Sequence, residues 1–240
     1  GSGILYADPI HSVGGVSGDG FSTTPLPGVP PVEDPLADVP PPDPLTLPRP
    51  PAQSTPTASG TCTTTGLHSG LNANFSGAQT ITLNPGVYCR IRGDSNVHYI
   101  LNPGIYYIDG PGGFEVTANS TIEGAGVMIY LSPNAGAVTM LGNAYVNLTA
   151  PTSGPYKGML FYADRSYISP ISMTGNASWD AVGTIYAAGS DINLSGNGVN
   201  SSLSSMIVAN TIVMGGDSDV IVDYDPGLNY QPPLSVQLVE

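Results

Sequence analysis

Any chemistry this chain performs on an anionic group falls to very few cations: besides three histidines, the basic residues are Arg49, Arg90, Arg92, Lys157 and Arg165. Arg90 and Arg92 are two apart, so on a β-strand they project from one face, with Asp94 and His98 close by in sequence. A polysaccharide lyase needs such a basic group beside acidic Ca²⁺ ligands, and a glycosidase needs two carboxylates about 5–9.5 Å apart. The same residues also read as a strand face carrying a local salt bridge, and Asp164-Arg165 as a loop ion pair. His11, His68 and His98 are scattered, with no His or Cys at metal-ligand spacing, so no zinc site is expected. No Gly-x-Ser-x-Gly elbow is followed by a suitable His and Asp, and Gly110-Pro111-Gly112-Gly113 lacks the Lys of a phosphate-binding loop. The expectation is a protein without enzymatic activity, with no catalytic residue and no obligatory cofactor.

Other side chains suggest binding or cross-linking. Asp217 and Asp219 flank Ser218, and Asp223 and Asp225 flank Tyr224. On strands each pair would share a face and offer carboxylates to Ca²⁺, or form a solvated acidic end that discourages edge-to-edge pairing. Cys62 and Cys89 are the two cysteines. They suit a disulfide in an exported chain rich in Ser, Thr, Asn and Gly, worth about 3 kcal/mol through loop closure, or else two buried thiols. Tyrosine dominates the aromatics, 13 against 4 Phe and 1 Trp. Such rings could face sugars or stack into a ladder that only stabilises the fold. Glycosylation sequons such as Asn74, Asn119 and Asn176 follow from the Asn, Ser and Thr content and carry little weight.

The elements that position these residues follow from composition and repeats. The 240 residues carry a net charge of −13, and only 10% are charged, against about 25% in ordinary soluble domains. So few cations exclude neutralising a phosphate backbone and disfavour anionic membrane surfaces. No apolar run approaches the ~20 residues of a membrane span, and no basic and apolar leader opens the chain, so this segment is not expected to insert in a membrane. At 40% apolar the chain can still bury a core.

Three zones are visible: a Gly-rich N-terminal β segment, 1–24; a proline-rich stretch, 25–57; and a β-rich domain, 58–240. Proline fixes φ and lacks an N–H, so 25–57 should run extended, and the interleaved Leu26, Val29, Leu36, Val39 and Leu45 favour a strap packed on or between subunits over a floppy linker. In the third zone Leu83-Asn84-Pro85-Gly86-Val87-Tyr88 recurs 18 residues later as Leu101-Asn102-Pro103-Gly104-Ile105-Tyr106. A looser motif recurs at Gly142-Asn143, Gly175-Asn176, Gly196-Asn197 and Gly216-Asp217, each beside an alternating apolar segment. Turn motifs at this interval, with short strands and no helical stretch between, predict a right-handed parallel β-helix, a β-solenoid in which each coil covers the apolar inner row of the next at ~4.8 Å; the rival is a β-sandwich. The 33-residue step from Asn143 to Asn176 implies a coil with an inserted loop, expected at Ala163 to Pro170.

Several strings resemble the secreted β-helix region of bacterial proteins related to Flp-type, tight-adherence pilus assembly, the TadG-like group. They are Val13 to Gly18, Pro31 to Ala37, Leu83 to Cys89, Tyr130-Leu131-Ser132-Pro133, Ala150 to Pro155, Gly183-Thr184-Ile185-Tyr186 and Leu238-Val239-Glu240. The departure is Arg90-Ile91-Arg92-Gly93-Asp94, where such proteins continue with Gly and Ser. The resemblance implies an extracellular, cell-surface protein, an excised or processed C-terminal piece, and a proline zone that belongs to the domain. The resulting expectation is a structural subunit that self-associates end to end into an adhesive filament. Its subunit contact would come from the N-terminal region or from the alternating terminal segment with Leu234, Val236, Leu238 and Val239. A glycan-binding adhesin is the alternative, and a lyase or hydrolase the weakest reading.

Overall fold

A computed structural model of the chain describes residues 4–6, 10–31, 33–47, 61–63, 69–196, 201–216 and 220–231; for 61–63, 69, 196, 201–204 and 220–222 it describes the backbone alone. The described residues are all-β. The N-terminal zone contributes β1 (Leu5–Tyr6), β2 (His11–Ser12) and β3 (Leu26–Pro27). Then follow β4 (Thr61–Thr63), β5 (Ser69–Ser76), β6 (Gln79–Leu83), β7 (Gly86–Asp94), β8 (Val97–Leu101), β9 (Gly104–Val116), β10 (Thr121–Gly124) and β11 (Val127–Leu131). The remainder are β12 (Val138–Met140), β13 (Tyr145–Thr149), β14 (Met159–Ala163), β15 (Ile171–Gly175), β16 (Ser178–Val182), β17 (Thr184–Gly196), β18 (Ser201–Ser204), β19 (Ile207–Gly216) and β20 (Val220–Val222).

Strand order gives the architecture. One 8-stranded sheet runs β6, β8, β10, β13, β16, β18, β20 and finally β1, every pair parallel. Ten of the other strands form a second sheet, parallel except where β4 lies antiparallel on β5, and β2 pairs with β3 in a separate parallel two-stranded sheet. The long strands of the 10-stranded sheet bend. The register of β7 against β9 shifts between Tyr88 and Arg90, and that of β17 against β19 between Ala187 and Asp191. Each circuit of the chain therefore lays one strand on each of three stacks. The first is the 8-stranded sheet. The second holds residues 86–88, 104–108, β11, β14, 184–187 and 207–209. The third holds β5, 90–94, 113–116, β12, β15, 191–196 and 211–216.

The inner rows are columns of apolar residues in register. Ile81, Tyr99, Ile122, Val146 and Trp179 follow one another on the first stack; Tyr106, Ile129, Phe161 and Ile185 on the second; Ile91, Phe114, Val138, Ile171 and Ile192 on the third. All of them are buried in one continuous core. With the apolar row inside and Thr, Ser and Asn outside, few charges are needed to keep the surface wet.

The sequence repeats mark the corners. Leu83 pairs Leu101 in register, which stacks the two Asn-Pro-Gly turns. Tyr88 and Tyr106 each donate a phenolic hydrogen bond to the carbonyl of their own turn, Asn84 at 2.6 Å and Asn102 at 2.8 Å. Their rings stack with centroids 5.8 Å apart. Gly104 adopts φ +139°, and a Cβ there would collide with Pro85 of the turn below, so only glycine fits. Asn102 bonds the Asn84 side chain at 2.7 Å, and Asn143 and Asn176 extend a second amide ladder from Asn119 at 2.9 and 3.2 Å.

The inserted loop lies elsewhere than expected. In-register partners are 24 residues apart at Gly124 and Leu148, 32 apart at Ile129 and Phe161, and 33 apart at Val138 and Ile171. All but one of the extra residues thus enter at the turn spanning 149–158; Ala163 to Pro170 is close to the length of its neighbour below. The enlarged turn is clasped by the C-terminal segment: Asn229 accepts from the Met206 N–H at 2.7 Å, Tyr230 N–H donates to Thr184 Oγ1 at 2.9 Å, and any Cβ on Gly158 (φ +78°) would strike the Asn229 backbone.

Candidate functional site

The second stack is apolar on both faces. Its strands Val127–Leu131 and Met159–Ala163 are buried at every position. Strands covered on both sides read as unbroken apolar runs, because no face is left to water. Outward on this stack, Tyr107, Tyr130, Tyr162 and Tyr186 stand in register, ring centroids 4.7, 5.3 and 5.5 Å apart. What covers them is the proline-rich zone. Leu36, Val39 and Pro42 are buried there, the first two in a cluster with Met128, Met159 and the tyrosines.

Polar contacts fix the segment in place. Tyr162 donates to the Val39 carbonyl at 2.6 Å, Tyr156 to the Pro40 carbonyl at 3.0 Å, and Tyr186 to Asp34 Oδ2 at 2.7 Å. The Arg165 guanidinium donates to the Leu36 carbonyl, pairs with Asp34 at 3.5 Å and lies 5.8 Å from the centre of the Tyr186 ring. Arg165 therefore finds its ionic partner across the fold and not in adjacent Asp164. Asp164 instead accepts from Tyr130 at 2.9 Å and from Ser166 Oγ at 2.6 Å and N–H at 2.9 Å. Burial works to raise the Asp164 pKa, but these hydrogen bonds and the Arg165 charge hold it below the ordinary carboxylate value. Burial pushes the phenols upward: Tyr107 to about 12, reinforced by Asp109, Asp164 and Asp43, and Tyr130 and Tyr186 further in the same direction, with Asp164 and Asp34 as their acidic neighbours. Such phenols are fixed as neutral hydrogen-bond donors. A general base needs a pKa near working pH, so on this face the phenols serve as donors to the segment that covers them.

The structure divides the charged cluster expected around Arg90. Arg92 pairs with Asp94 at 3.5 Å and Glu115 at 3.2 Å on the third stack, while His98 pairs with Glu123 at 2.9 Å on the first. Arg90 is on the same strand face as Arg92, packed over Gly112, where a Cβ would strike its guanidinium stem. Lys157 lines a cavity of about 210 Å³ with Gly154, Pro155, Asn229, Tyr230 and Gln231.

The acidic segment is also placed differently from the expectation. β20 ends at Val222, so Asp223 and Asp225 lie beyond it and share no strand face; Asp225 turns its carboxylate onto the Gly227 N–H at 2.7 Å. Asp217 and Asp219 lie outside the described residues, as do His68, Arg49, Leu234, Val236, Leu238 and Val239. Among the described residues no group of three or more His, Cys, Asp or Glu converges on a metal position. Cys62, on β4, is in register with Gly70 of β5. A Cβ on Gly70 would touch Cys89 Sγ and N at 3.1 Å, so the backbone brings the two cysteines' strands together, and Cys89 is not a free thiol. One buried acid escaped sequence reasoning: Asp109 Oδ1 accepts from Ser132 Oγ at 2.6 Å and Asn134 Nδ2 at 3.2 Å.

The far end of the column is a second candidate. On the first stack β20 is covered by β1, and Leu5 also bridges to Phe21. On the other two stacks the last strand is β19, and among the described residues nothing pairs with its outer edge. Ile212 continues the inner column of Ile171 and Ile192, yet it is 47% exposed where they are 0% and 2% exposed; Val213 beside it is 51% exposed.

No family model, no curated protein and no solved structure matches this chain.

Proposed function

We propose that the chain is a right-handed β-solenoid that serves, without enzymatic activity, as a secreted structural subunit of the TadG-like kind, assembling end to end into a filament at a bacterial surface. The observation that carries this reading is the β19 edge, which no described residue pairs, and where half-exposed Ile212 continues an inner column that is dry below it, with half-exposed Val213 beside it on the outer face above Asn193 and Ser172. A contact between unlike ends of a column does not close on itself, so it propagates as a fibre and not as a dimer. The proline-rich zone acts as a strap along the tyrosine face, and a Cys62–Cys89 disulfide locks the opposite end, which suits an oxidising compartment. The glycan-binding alternative has less support, because the tyrosines that stack in register are buried or covered, leaving Tyr6 and Tyr224 as the exposed rings among the described residues.

The test is electron microscopy and sedimentation of the purified chain over a range of concentration and salt. Filaments are expected, and Val213→Asp should abolish them while leaving circular dichroism and Tm unchanged, since this side chain is half-exposed in the single subunit. Monodisperse particles for the unmodified chain at every concentration would overturn the proposal.

A further inference from the structure

The proline-rich strap docks through a turn that carries its own shape. Asp34 Oδ1 accepts the Leu36 N–H at 2.9 Å and the Asp34 carbonyl accepts the Ala37 N–H at 3.2 Å, around Pro35. The same tripeptide recurs nine residues later. Asp43 Oδ1 accepts the Leu45 N–H at 2.9 Å and its carbonyl accepts the Thr46 N–H at 3.1 Å, around Pro44. Leu36 is buried against the tyrosines, whereas Leu45 is 70% exposed. The Asp-Pro-Leu turn therefore forms alike with and without a groove around it. A docking element that does not refold on release loses little when it changes site.

The groove reads this turn by separable contacts: the Tyr186 hydroxyl and Arg165 on Asp34, the Tyr162 and Tyr156 hydroxyls on the Val39 and Pro40 carbonyls, and apolar seats for Leu36 and Val39. None of these requires the strap and the groove to belong to one molecule. Between Leu47 and Thr61 of β4 lie 13 residues, and between Phe21, which bridges to Leu5, and Glu33 lie 11. Thirteen residues reach up to about 45 Å when extended. The seven successive rows of the first stack, β6 to β20, rise only about 29 Å from first to last at ~4.8 Å per row.

We propose that the tyrosine groove is an intermolecular docking site whose occupant in the assembled state is the Asp34–Pro42 strap of a second copy of this chain. The inference rests on the end-to-end reading. Donor and acceptor contacts are identical within and between molecules, so the balance is set by effective concentration, and only a neighbour stacked on the column end supplies enough of it. The exchange joins successive subunits by a strap that β19 stacking alone would not provide.

The experiment places a photo-reactive benzophenone amino acid at Ala37, which is exposed within the docked turn, in the full-length chain. Isotopically light and heavy preparations are mixed while dispersed and then concentrated to assemble. After irradiation, cross-linked peptides joining position 37 to the 156–165 or 184–188 regions are sorted by isotope. Exchange gives light–heavy products near the statistical half of all products in filaments, falling at least tenfold in the non-assembling Val213→Asp chain. Filaments yielding only light–light and heavy–heavy products would overturn strap exchange and leave end-to-end assembly standing. Absence of filaments would overturn both. As a second measurement, Asp34→Ala with Leu36→Ala should leave filaments that form but dissociate on dilution at least tenfold faster than the unmodified ones; unchanged dissociation would also overturn the exchange.

Discussion

Ile171 and Ile212 occupy one inward column of the third stack, two rows apart, with the same side chain and nearly the same local text, Ile-Ser-Met-Thr-Gly against Ile-Val-Met-Gly-Gly. One is fully buried and the other is 47% exposed. In a stacked fold the burial of a residue is conferred by the row above it, not by its own strand. At the opposite end the inner row is closed: Leu83 is 1% exposed and Phe75 7%, and β5 is edged by antiparallel β4. Among the described residues the column is thus closed at one end, while at the other its second and third stacks are left uncovered, and an uncovered apolar edge of this kind is where a second molecule would gain most by binding.

The largest effect that tests this contrast is alkaline unfolding. The buried phenols belong to the closed rows, and β19 contains no tyrosine. Burial raises the folded-state pKa of Tyr107 to about 12, and those of Tyr88, Tyr99, Tyr106, Tyr130 and Tyr167 further. In the unfolded chain a phenol titrates near 10. The stability these groups contribute is therefore complete below about pH 10 and is lost as pH rises through the folded values. Cooperative unfolding is expected between about pH 10 and 12, with phenolate absorbance rising together with the loss of β-sheet circular dichroism. Phenolate appearing while the sheet signal persists would show that the closed rows are not dry.

Next in size is the paired truncation. Ile171→Ala opens a cavity in a covered row and should cost about 2–5 kcal/mol, read as a lowered urea midpoint. Ile212→Ala removes a side chain already half in water and should cost less than about 1 kcal/mol in the dispersed chain. Equal costs would mean that the last row is covered after all.

The fold was legible where identical residues must meet. Asn143 and Asn176, or the two Asn-Pro-Gly turns, recur because a side-chain amide bonds its own kind one row away, and a glycine that a Cβ would drive into Pro85 cannot drift. The position of the long turn was not legible: the interval between Asn143 and Asn176 measures a whole circuit and is silent about which corner holds the excess. Only register, such as Ile129 against Phe161, assigns it to 149–158. The tyrosine groove was half legible. Val-Met-Ile-Tyr-Leu and Met-Leu-Phe-Tyr-Ala lack the alternation of a half-wet strand, which signals an outer cover, and Leu36 and Val39 among the prolines supply it. Nothing in the sequence pairs Asp34 with Arg165, since that contact joins residues 131 positions apart through the fold alone. The Arg90, Arg92, Asp94 and His98 grouping failed for a related reason: a corner at Ser95 and Asn96, both at positive φ, turns His98 onto another stack.

The smallest effect concerns the amide ladder on the outside of the column. Asn143 sits in its middle, donating to Asn119 and accepting from Asn176, while Asn119 is the acceptor below it. These side chains are exposed, so water competes for every bond and each is worth about 0.5 kcal/mol or less. Asn143→Ala breaks two rungs and Asn119→Ala one, so the first should lower stability about twice as much as the second, together under about 1.5 kcal/mol in urea unfolding. If both substitutions cost the same, the amides bond to water rather than to each other, and the recurrence of Asn at these corners is explained by backbone geometry alone. If Asn143→Ala costs clearly more than twice Asn119→Ala, the rungs reinforce one another, and the ladder contributes to the register that aligns the dry rows beneath it.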